Sequence, residues 1–394
     1  MAEFGQPLPL SLYVHIPWCV RKCPYCDFNS HELRGELPGG DYVDALLRDL
    51  DYTLDRRSQP PLQSIFIGGG TPSLLPADNM AQLLDGIAAR LPLADDCEIT
   101  LEANPGTVEA ARFRDFRAAG INRLSLGVQS FADEQLRKLG RIHDAAEARR
   151  AIATAADAGF DNFNIDLMFG LPEQSVDAAL ADLEQAFACQ PRHISWYQLT
   201  IEPNTVFYKQ PPVLPDDENL WAMQCAGQRL LRQHGYDQYE VSAYARAGSQ
   251  CRHNLNYWRF GDYLGIGAGA HAKLTDVDAG TIRRQARHRL PAAYLQKAGT
   301  AGVIADDRRL DTDDAVFEFM LNALRLERGV PVSLLRRHAG VTEADIAVAL
   351  DNARRLGLLR RDRRRLQPTA RGRRYLNDLV ALFLPDNDAV AVHG

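Results

Sequence analysis

Six β-rich runs, each followed by a different kind of stretch, limit the folds open to this chain. The runs are "LSLYVHI" (10–16), "SIFIGG" (64–69), "EITLEAN" (98–104), "RLSLGVQS" (123–130), "FNIDLMFG" (163–170) and "HISWYQLTI" (193–201). Between them, apolar residues recur at three- and four-residue spacing in "YVDALLRDLDYTL" (42–54), "AQLLDGIAARL" (81–91), "AARFRDFRAAG" (110–120), "AAEARRAIATAADAG" (145–159) and "DAALADLEQAF" (177–187). A β-then-α unit repeated in this way implies a parallel sheet with helical crossovers. Six units are too few for a closed eight-unit barrel. The expected architecture is therefore α/β, a partial (β/α)6 barrel. Function gathers at the C-terminal ends of parallel strands, where loops and helix N-termini converge. The first five strand ends lead to a cysteine group, "GGGTP", "EANP", "GVQS" and "DLMFGLP".

Beyond residue 203 the rhythm breaks. "PPVLP" (211–215) punctuates the chain, a helix pattern covers 216–234, and the aromatic, glycine-rich "CRHNLNYWRFGDYLGIGAGAHA" (251–272) follows. Short helical patterns at 313–326, 331–340 and 342–359 precede a basic turn, "RRDRRRLQPTARGRR", and a last helix pattern, "YLNDLVALFL" (375–384), closes the fold. The expected division is a barrel over 1–235, a barrel extension over 236–305, and a C-terminal winged-helix-like α+β domain over 306–394.

A net charge of −6 gives no overall basicity that would argue for nucleic acid. The arginine runs at 360–365 and 371–374 read as a solvated hairpin, since a winged fold does not by itself bind DNA. The seven cysteines are irregularly spaced, unlike a secreted disulfide framework. "MAEFGQPLPL" has no charged-then-apolar leader, and no run of about eighteen apolar residues occurs. A cytoplasmic, reducing location is expected.

Three cysteines, Cys19, Cys23 and Cys26, fall within eight positions. A closed zinc site needs a fourth ligand, for which His31 or His15 is at hand. Three unrelated buried thiols are a poorer reading, given the charged neighbours. Three thiolates can also hold an iron–sulfur cluster and leave one iron open to a further ligand.

The spacing Cys19-x3-Cys23-x2-Cys26 after a first strand resembles the signature of radical S-adenosylmethionine (SAM) proteins, whose fold is a partial (β/α)6 radical SAM barrel. The resemblance implies a [4Fe-4S] cluster whose open iron is chelated by SAM. Seven blocks, "YVHIPWCVRKCPYCDF", "IGGGTPS", "EANPG", "LSLGVQSF", "LGRIH", "NIDLMFGLP" and "HISWYQLTIEP", occur in this order. Together they resemble the oxygen-independent coproporphyrinogen-III oxidase-like branch, and within it the haem chaperones, over nearly the whole chain. Carried over by position, Tyr13 contacts the SAM carboxylate region and Tyr25 packs near the adenine. Gly69, Gly70 and Thr71 form a loop whose carbonyls receive the methionine ammonium, and Glu102 accepts from ribose hydroxyls. Gln129, Arg141 and Asp166 supply further SAM contacts. Outside that ordered set, "GGG" would read as a turn, and Glu102 and Asp166 as caps or ion-pair partners.

Two features depart from the oxidases of the branch. Those read CxxxCxxCxC, where this chain has Phe28, and they carry a longer segment before the first strand. Both put coproporphyrinogen decarboxylation in doubt. "HNLNYW" matches the HNxxYW motif of the haem chaperones, which implies that His253, Asn254, Tyr257 and Trp258 bind haem as cargo. On the residues alone, His253 is an interior histidine and the aromatics are core. Cys251 is a second candidate ligand. The resemblance leads to a haem chaperone that delivers haem to haem-requiring clients such as membrane respiratory enzymes. It leaves a homodimer and a peripheral place at the inner membrane open. The alternative is a radical SAM enzyme, either an oxidase or a methyltransferase, acting on a porphyrin-type substrate through a 5′-deoxyadenosyl radical. A DNA-binding redox regulator is the third reading.

Overall fold

The computed structural model describes residues 4, 6–54, 59–106 and 110–384. Strands β1 (Leu10–Ile16), β2 (Leu62–Gly69), β3 (Leu93–Ala103), β4 (Arg123–Gln129), β5 (Phe163–Phe169) and β6 (His193–Gln198) lie side by side in chain order, all parallel. The crossovers carry α1 (Gly39–Thr53), α2 (Ala77–Ala88), α3 (Ala110–Ala118), α4 (Asp133–Lys138), α5 (Ala145–Asp157) and α6 (Val176–Ala188). This is the six-unit α/β architecture expected from the sequence.

Period-two alternation gives the sheet two unlike faces. Leu12, Val14, Ile65, Ile67, Leu101, Leu124, Leu126, Ile165 and Ile194 pack into one apolar core with the helices, represented by Tyr42, Leu46, Leu83, Ile152 and Leu183. The intervening positions of β3 to β6 are polar: Thr100 and Glu102, Arg123 and Ser125, Asn164 and Asp166, His193 and Ser195. The face turned away from the helices therefore carries buried polar groups, and these need hydrogen-bond partners.

Residues 236–309 extend this sheet at both edges, so its last strand crosses the limit expected at 305. After α7 (Val206–Lys209) and α8 (Asp217–Gln233) come the short strands β7 (Asp237–Gln238) and β8 (Ala243–Ala245); β8 adds antiparallel to β6, and β7 adds antiparallel to β8. At the other edge β9 (Asp262–Ile266) adds parallel to β1, and β10 (His271–Asp276), β11 (Thr281–Arg287) and β12 (Ile304–Arg309) continue antiparallel. The result is a twelve-stranded sheet. To pass from one edge to the other, the chain runs beneath the barrel through α9 (Arg252–Trp258), which packs on β1, β2 and β9. The Arg252 backbone N–H donates to Glu98 Oε1 at 2.8 Å, ahead of the C-terminal half of β3.

The last part of the chain has its own core, built on α11 (Thr312–Ala323), which follows the edge helix α10 (Pro291–Lys297). Phe319, Met320, Leu335, Leu350, Leu366 and Leu379 fill it, and Phe260, Ile282, Phe4 and Leu8 join it from the barrel side. A single bridge between Leu359 and Pro368 closes the basic turn, and Arg365–Leu366 on its returning side pairs antiparallel with Val330–Pro331, which precedes the intervening helices. No helix among the described residues is long and apolar enough to cross a membrane.

Candidate functional site

The cysteine segment leaves β1 through Pro17 and is folded back on itself. Residues Trp18–Cys19 pair with His31–Glu32, and Leu33 N–H donates to Cys19 O at 2.8 Å. Within the loop, Cys26 N–H donates to Cys23 O at 3.1 Å, and Lys22 Nζ donates to the Phe28 and Ser30 carbonyls. Asn29 Nδ2 reaches the Ala268 and Arg289 carbonyls at 2.8 and 2.9 Å, which ties the loop to the barrel extension. Cys19, Cys23 and Cys26 thus line one wall of a cavity of about 480 Å³ at the C-terminal ends of the strands.

The same cavity is lined by Tyr25, Gly69, Gly70, Thr71, Glu102, Gln129, Arg141 and Asp166, all expected from the sequence. Gly69 has φ +117°, and a Cβ there would lie 2.6 Å from His15 Cε1. At Gly70 a Cβ would meet the Trp18 carbonyl. Only glycines let β2 end this close to the cysteine segment. Gly69 N–H donates to Glu102 Oε2 at 3.0 Å. Arg141 is placed by the turn into α5, where Asp144 and Glu147 form a reciprocal capping box and His143 Nε2 lies 3.1 Å from Val128 O. Its guanidinium reaches Cys23 Sγ at 3.5 Å and donates to Asn104 Oδ1 and Gly127 O, both at 2.6 Å. Gln129 ends β4 at φ +72°, a left-handed backbone rarely adopted by a non-glycine residue, and its Oε1 accepts from the Tyr197 hydroxyl at 2.8 Å.

Tyr13 departs from expectation. It is not among the cavity-lining residues; its hydroxyl donates to His15 Nδ1 at 2.9 Å, with its ring beside Phe66. The alternation of β1 turns it inward one layer below the opening.

Two carboxylates face each other on the cavity wall. Burial and then the charge of Asp166 push Glu102 up to about 8, against the Gly69 N–H bond that favours its ionised form. Burial raises Asp166 as well, opposed by hydrogen bonds from Asn164, Ser125 and Ser195 and by Arg123. Burial first, with neighbouring thiols adding to it, holds Cys19 above the usual thiol range, and burial raises Cys26 likewise. Thiols that resist ionising on their own become good ligands once a cationic centre supplies the compensating charge. With all three cysteines on one cavity and the Arg141 guanidinium 3.5 Å from Cys23 Sγ, the donor set fits a cluster held by three thiolates. A zinc ion would lack a fourth protein ligand from His15. That ring already donates through Nε2 to Asn29 O and accepts through Nδ1 from Tyr13.

The haem-motif residues sit elsewhere. His253 is 5% exposed and lies in the lower barrel, its ring stacked on Phe66 at 4.9 Å and beside Tyr257 at 5.1 Å. Burial, then Arg123, brings its pKa down to about 3, and its Nδ1 has no partner. Tyr257 stacks on Tyr263 at 4.2 Å, and Arg325 covers the Trp258 ring at 4.3 Å. Asn254 lies on α9 between them, half-buried. Cys251 is buried, with Sγ 3.5 Å from Glu98 Oε1, and burial pushes its thiol up to about 12. None of these residues lines the cavity.

The sequence reading missed Asn104, Ser125, Ser195 and Tyr197, which also line the cavity. The signal was present: "RLSLG", "NIDLM" and "HISWY" carry polar residues at alternate positions of buried parallel strands, where apolar residues are the rule.

Three cysteines on the loop after the first strand of a parallel partial barrel, facing a glycine loop and carboxylates, define a radical SAM protein. The chain matches the model of the Radical SAM superfamily over residues 13–186 and that of the HemN C-terminal domain over 310–375. A solved coproporphyrinogen III oxidase, HemN from Escherichia coli, described as a radical SAM enzyme, superposes with a TM-score of 0.80. It is 25% identical, and the match covers 96% of this chain and 90% of that one. Heme chaperone HemW of Escherichia coli K12 is 53% identical over 96% of this chain and 99% of its own length. The HemW of Haemophilus influenzae is 49% identical over 96% and 98%. The chain belongs to the HemW haem chaperone family.

Proposed function

We propose that this protein is a haem chaperone that carries a [4Fe-4S] cluster on Cys19, Cys23 and Cys26, binds SAM at that cluster, and delivers haem to haem-requiring proteins. The observation that carries the cofactor part is the convergence of the three cysteines, the Gly69–Thr71 loop, Glu102, Gln129, Arg141 and Asp166 on one cavity. The cargo follows from the relatives, which are named heme chaperones and match nearly end to end. When bound, a reduced cluster supplies one electron to SAM. The protein's own part is to hold and orient. Arg141 balances thiolate charge beside Cys23, Glu102 accepts from the ribose hydroxyls, and Gly69 and Gly70 allow close backbone approach. Tyr25, packed near Phe207 at 6.3 Å between ring centroids, supplies an aromatic surface for the adenine.

Haem binding is assigned to His253, Asn254, Tyr257 and Trp258. Because His253 is stacked inside the barrel, ligation through its imidazole requires α9 to draw away from Phe66. The domain limits proposed are 1–235, 236–305 and 306–394, with clients among respiratory enzymes at the cytoplasmic membrane face. A radical SAM enzyme acting on a porphyrin is the second reading, favoured by the overlay with the oxidase. Anaerobic purification with iron, sulfide and haem analysis on one sample, followed by incubation with SAM, reductant and coproporphyrinogen, tests the choice. Cluster and stoichiometric haem without product support the chaperone; enzyme-like turnover reverses it.

A further inference from the structure

Beneath the cavity, buried side chains form one continuous hydrogen-bonded line. Asp166 Oδ1 accepts from Asn164 Nδ2 at 2.7 Å, and Oδ2 accepts from the Ser125 hydroxyl at 3.0 Å. Asn164 Oδ1 lies 2.7 Å from His193 Nδ1 and also accepts from the Ser195 hydroxyl at 3.1 Å, and Asn164 Nδ2 also donates to Ser125 Oγ at 2.8 Å. His193 Nε2 lies 2.9 Å from the Tyr239 hydroxyl. Asn164 and His193 are each 1% exposed, and Tyr239 is 4%. The line has one consistent direction. A carboxylate only accepts, so the amide nitrogen of Asn164 faces Asp166. The amide oxygen then faces His193 and must meet an N–H, which puts the imidazole proton on Nδ1. Nε2 is left as a lone pair, and the Tyr239 hydroxyl donates to it. Reversing one member sets two buried acceptors against each other.

We propose that His193 is a positioning residue that locks the Asn164 amide and so holds Asp166 as an ionised acceptor, ready for the hydroxyl or ammonium donors of a nucleoside-type ligand. This rests on the SAM reading of the cavity. Neither residue adjoins a cluster cysteine. Burial, and secondarily Arg123, keeps the His193 pKa well below its ordinary value, so the ring stays neutral and its donor–acceptor direction is fixed. The groups facing Asp166 are Glu102 from β3, Arg123 and Ser125 from β4, and Ser195 and Tyr197 from β6. Those facing His193 are Arg123 and Tyr239. Of these, Glu102 changes charge near pH 8, so the test stays below that range.

The test uses His193→Phe, His193→Gln and Tyr239→Phe in anaerobically reconstituted full-length protein. Two quantities are read: ring ¹⁵N shifts of His193 in histidine-labelled protein, and the SAM dissociation constant from about pH 5 to pH 7. Wild type should show the Nδ1-protonated tautomer. His193→Phe should weaken SAM binding about tenfold and move the acidic limb of the binding profile to higher pH, with iron and sulfide content unchanged. His193→Gln, which can still donate to Asn164 and accept from Tyr239, should restore most of the affinity. Should His193→Phe fail to fold, Tyr239→Phe removes a single hydroxyl and should shift the same limb by a smaller amount. An Nε2-protonated ring in wild type overturns the proposal. So does a loss of affinity equal at every pH, which is the mark of a packing role alone. If wild type binds no SAM, the SAM reading falls, and the tautomer alone decides the line: Nδ1-protonated in wild type and kept in Tyr239→Phe, where the Asn164 oxygen still accepts, supports it, and an Nε2-protonated ring in either protein overturns it.

Discussion

Replacing Glu102 by glutamine should make the ligand-free protein more stable at alkaline pH while removing SAM affinity. The carboxyl is raised from 4.5 to about 8, first by burial and then by the charge of Asp166. A raised acid pKa means that the folded state holds a proton the unfolded chain has released. Below 4.5 both states are protonated and nothing is lost. Between 4.5 and 8 the unfolded chain ionises while the folded state does not, and stability falls with every unit; above 8 the loss is complete. At about 1.4 kcal/mol per unit, the full cost approaches about 5 kcal/mol, and the part falling between pH 6 and pH 9 is about 2–3 kcal/mol. Glutamine keeps an oxygen to accept from Gly69 N–H and carries no charge to bury. Urea denaturation of apo wild type and Glu102→Gln at pH 6, 7, 8 and 9 measures the difference, which should widen by that amount and favour the variant throughout. SAM binding to the reconstituted proteins should fail in the variant at alkaline pH, where wild-type Glu102 is a carboxylate that can accept from ribose hydroxyls and the neutral amide supplies no charge. The α-amino group of SAM titrates near pH 8 as well, and the denaturation series avoids that overlap because no ligand is present. A stability difference constant from pH 6 to pH 9, or a variant less stable at pH 9, refutes the reasoning.

Alanine at Cys19, Cys23 or Cys26 should abolish iron and labile sulfide in reconstituted protein, while alanine at Cys97, Cys189 or Cys225 should leave both; stoichiometric zinc without sulfide would end the cluster reading. With Phe28 in place of a fourth cysteine, incubation with coproporphyrinogen, SAM and reductant should yield no protoporphyrinogen, and turnover of about one per second or faster would contradict this. His253→Phe keeps a ring against Phe66 but removes the imidazole, so the melting temperature should hold within a few degrees while the haem Soret band shifts or disappears. An unchanged band would place the iron ligand elsewhere.

The barrel was legible because each of its units obeys two local rules at once. The expected run 10–16 is β1 residue for residue, and 145–159 brackets α5, whose Asp144 cap and Glu147 partner stand in the sequence as a capping box. The edge strands were not legible. β10 reads "HAKLTD" and β11 "TIRRQAR", with charged residues between the apolar ones. They form because they continue a sheet already present. Lys273 is buried by pairing with Asp262 at 2.8 Å, and Arg287 by pairing with Asp49 on α1 at 3.1 Å. Partners 11 and 238 residues away are invisible to any periodicity. Tyr13 illustrates the same limit at finer scale: position in a motif gives the strand, but only the register shows at which layer of the barrel a side chain ends.

The "HNLNYW" segment shows what spacing conceals. Read along the chain, "HNLNYW" is an aromatic cluster after the barrel. In the fold its residues occupy different surroundings because α9 crosses the barrel floor. His253 rises among Tyr13 and Phe66, inside the chamber whose upper half holds the cavity. Trp258, at the other end of the helix, packs against the C-terminal core beneath Arg325, which pairs with Glu240 at 3.3 Å. The two ends are held by unlike interactions, ring stacking above and a cation over an indole below. A haem that draws His253 out of the barrel must therefore also disturb the contact between Trp258 and the C-terminal core, or bend a helix of only seven residues. If haem binds through His253 as proposed, its binding and the seating of the C-terminal unit would be linked through this helix, and the same withdrawal would open the floor beneath Phe66 and Tyr13, one layer below the residues that line the strand-end cavity.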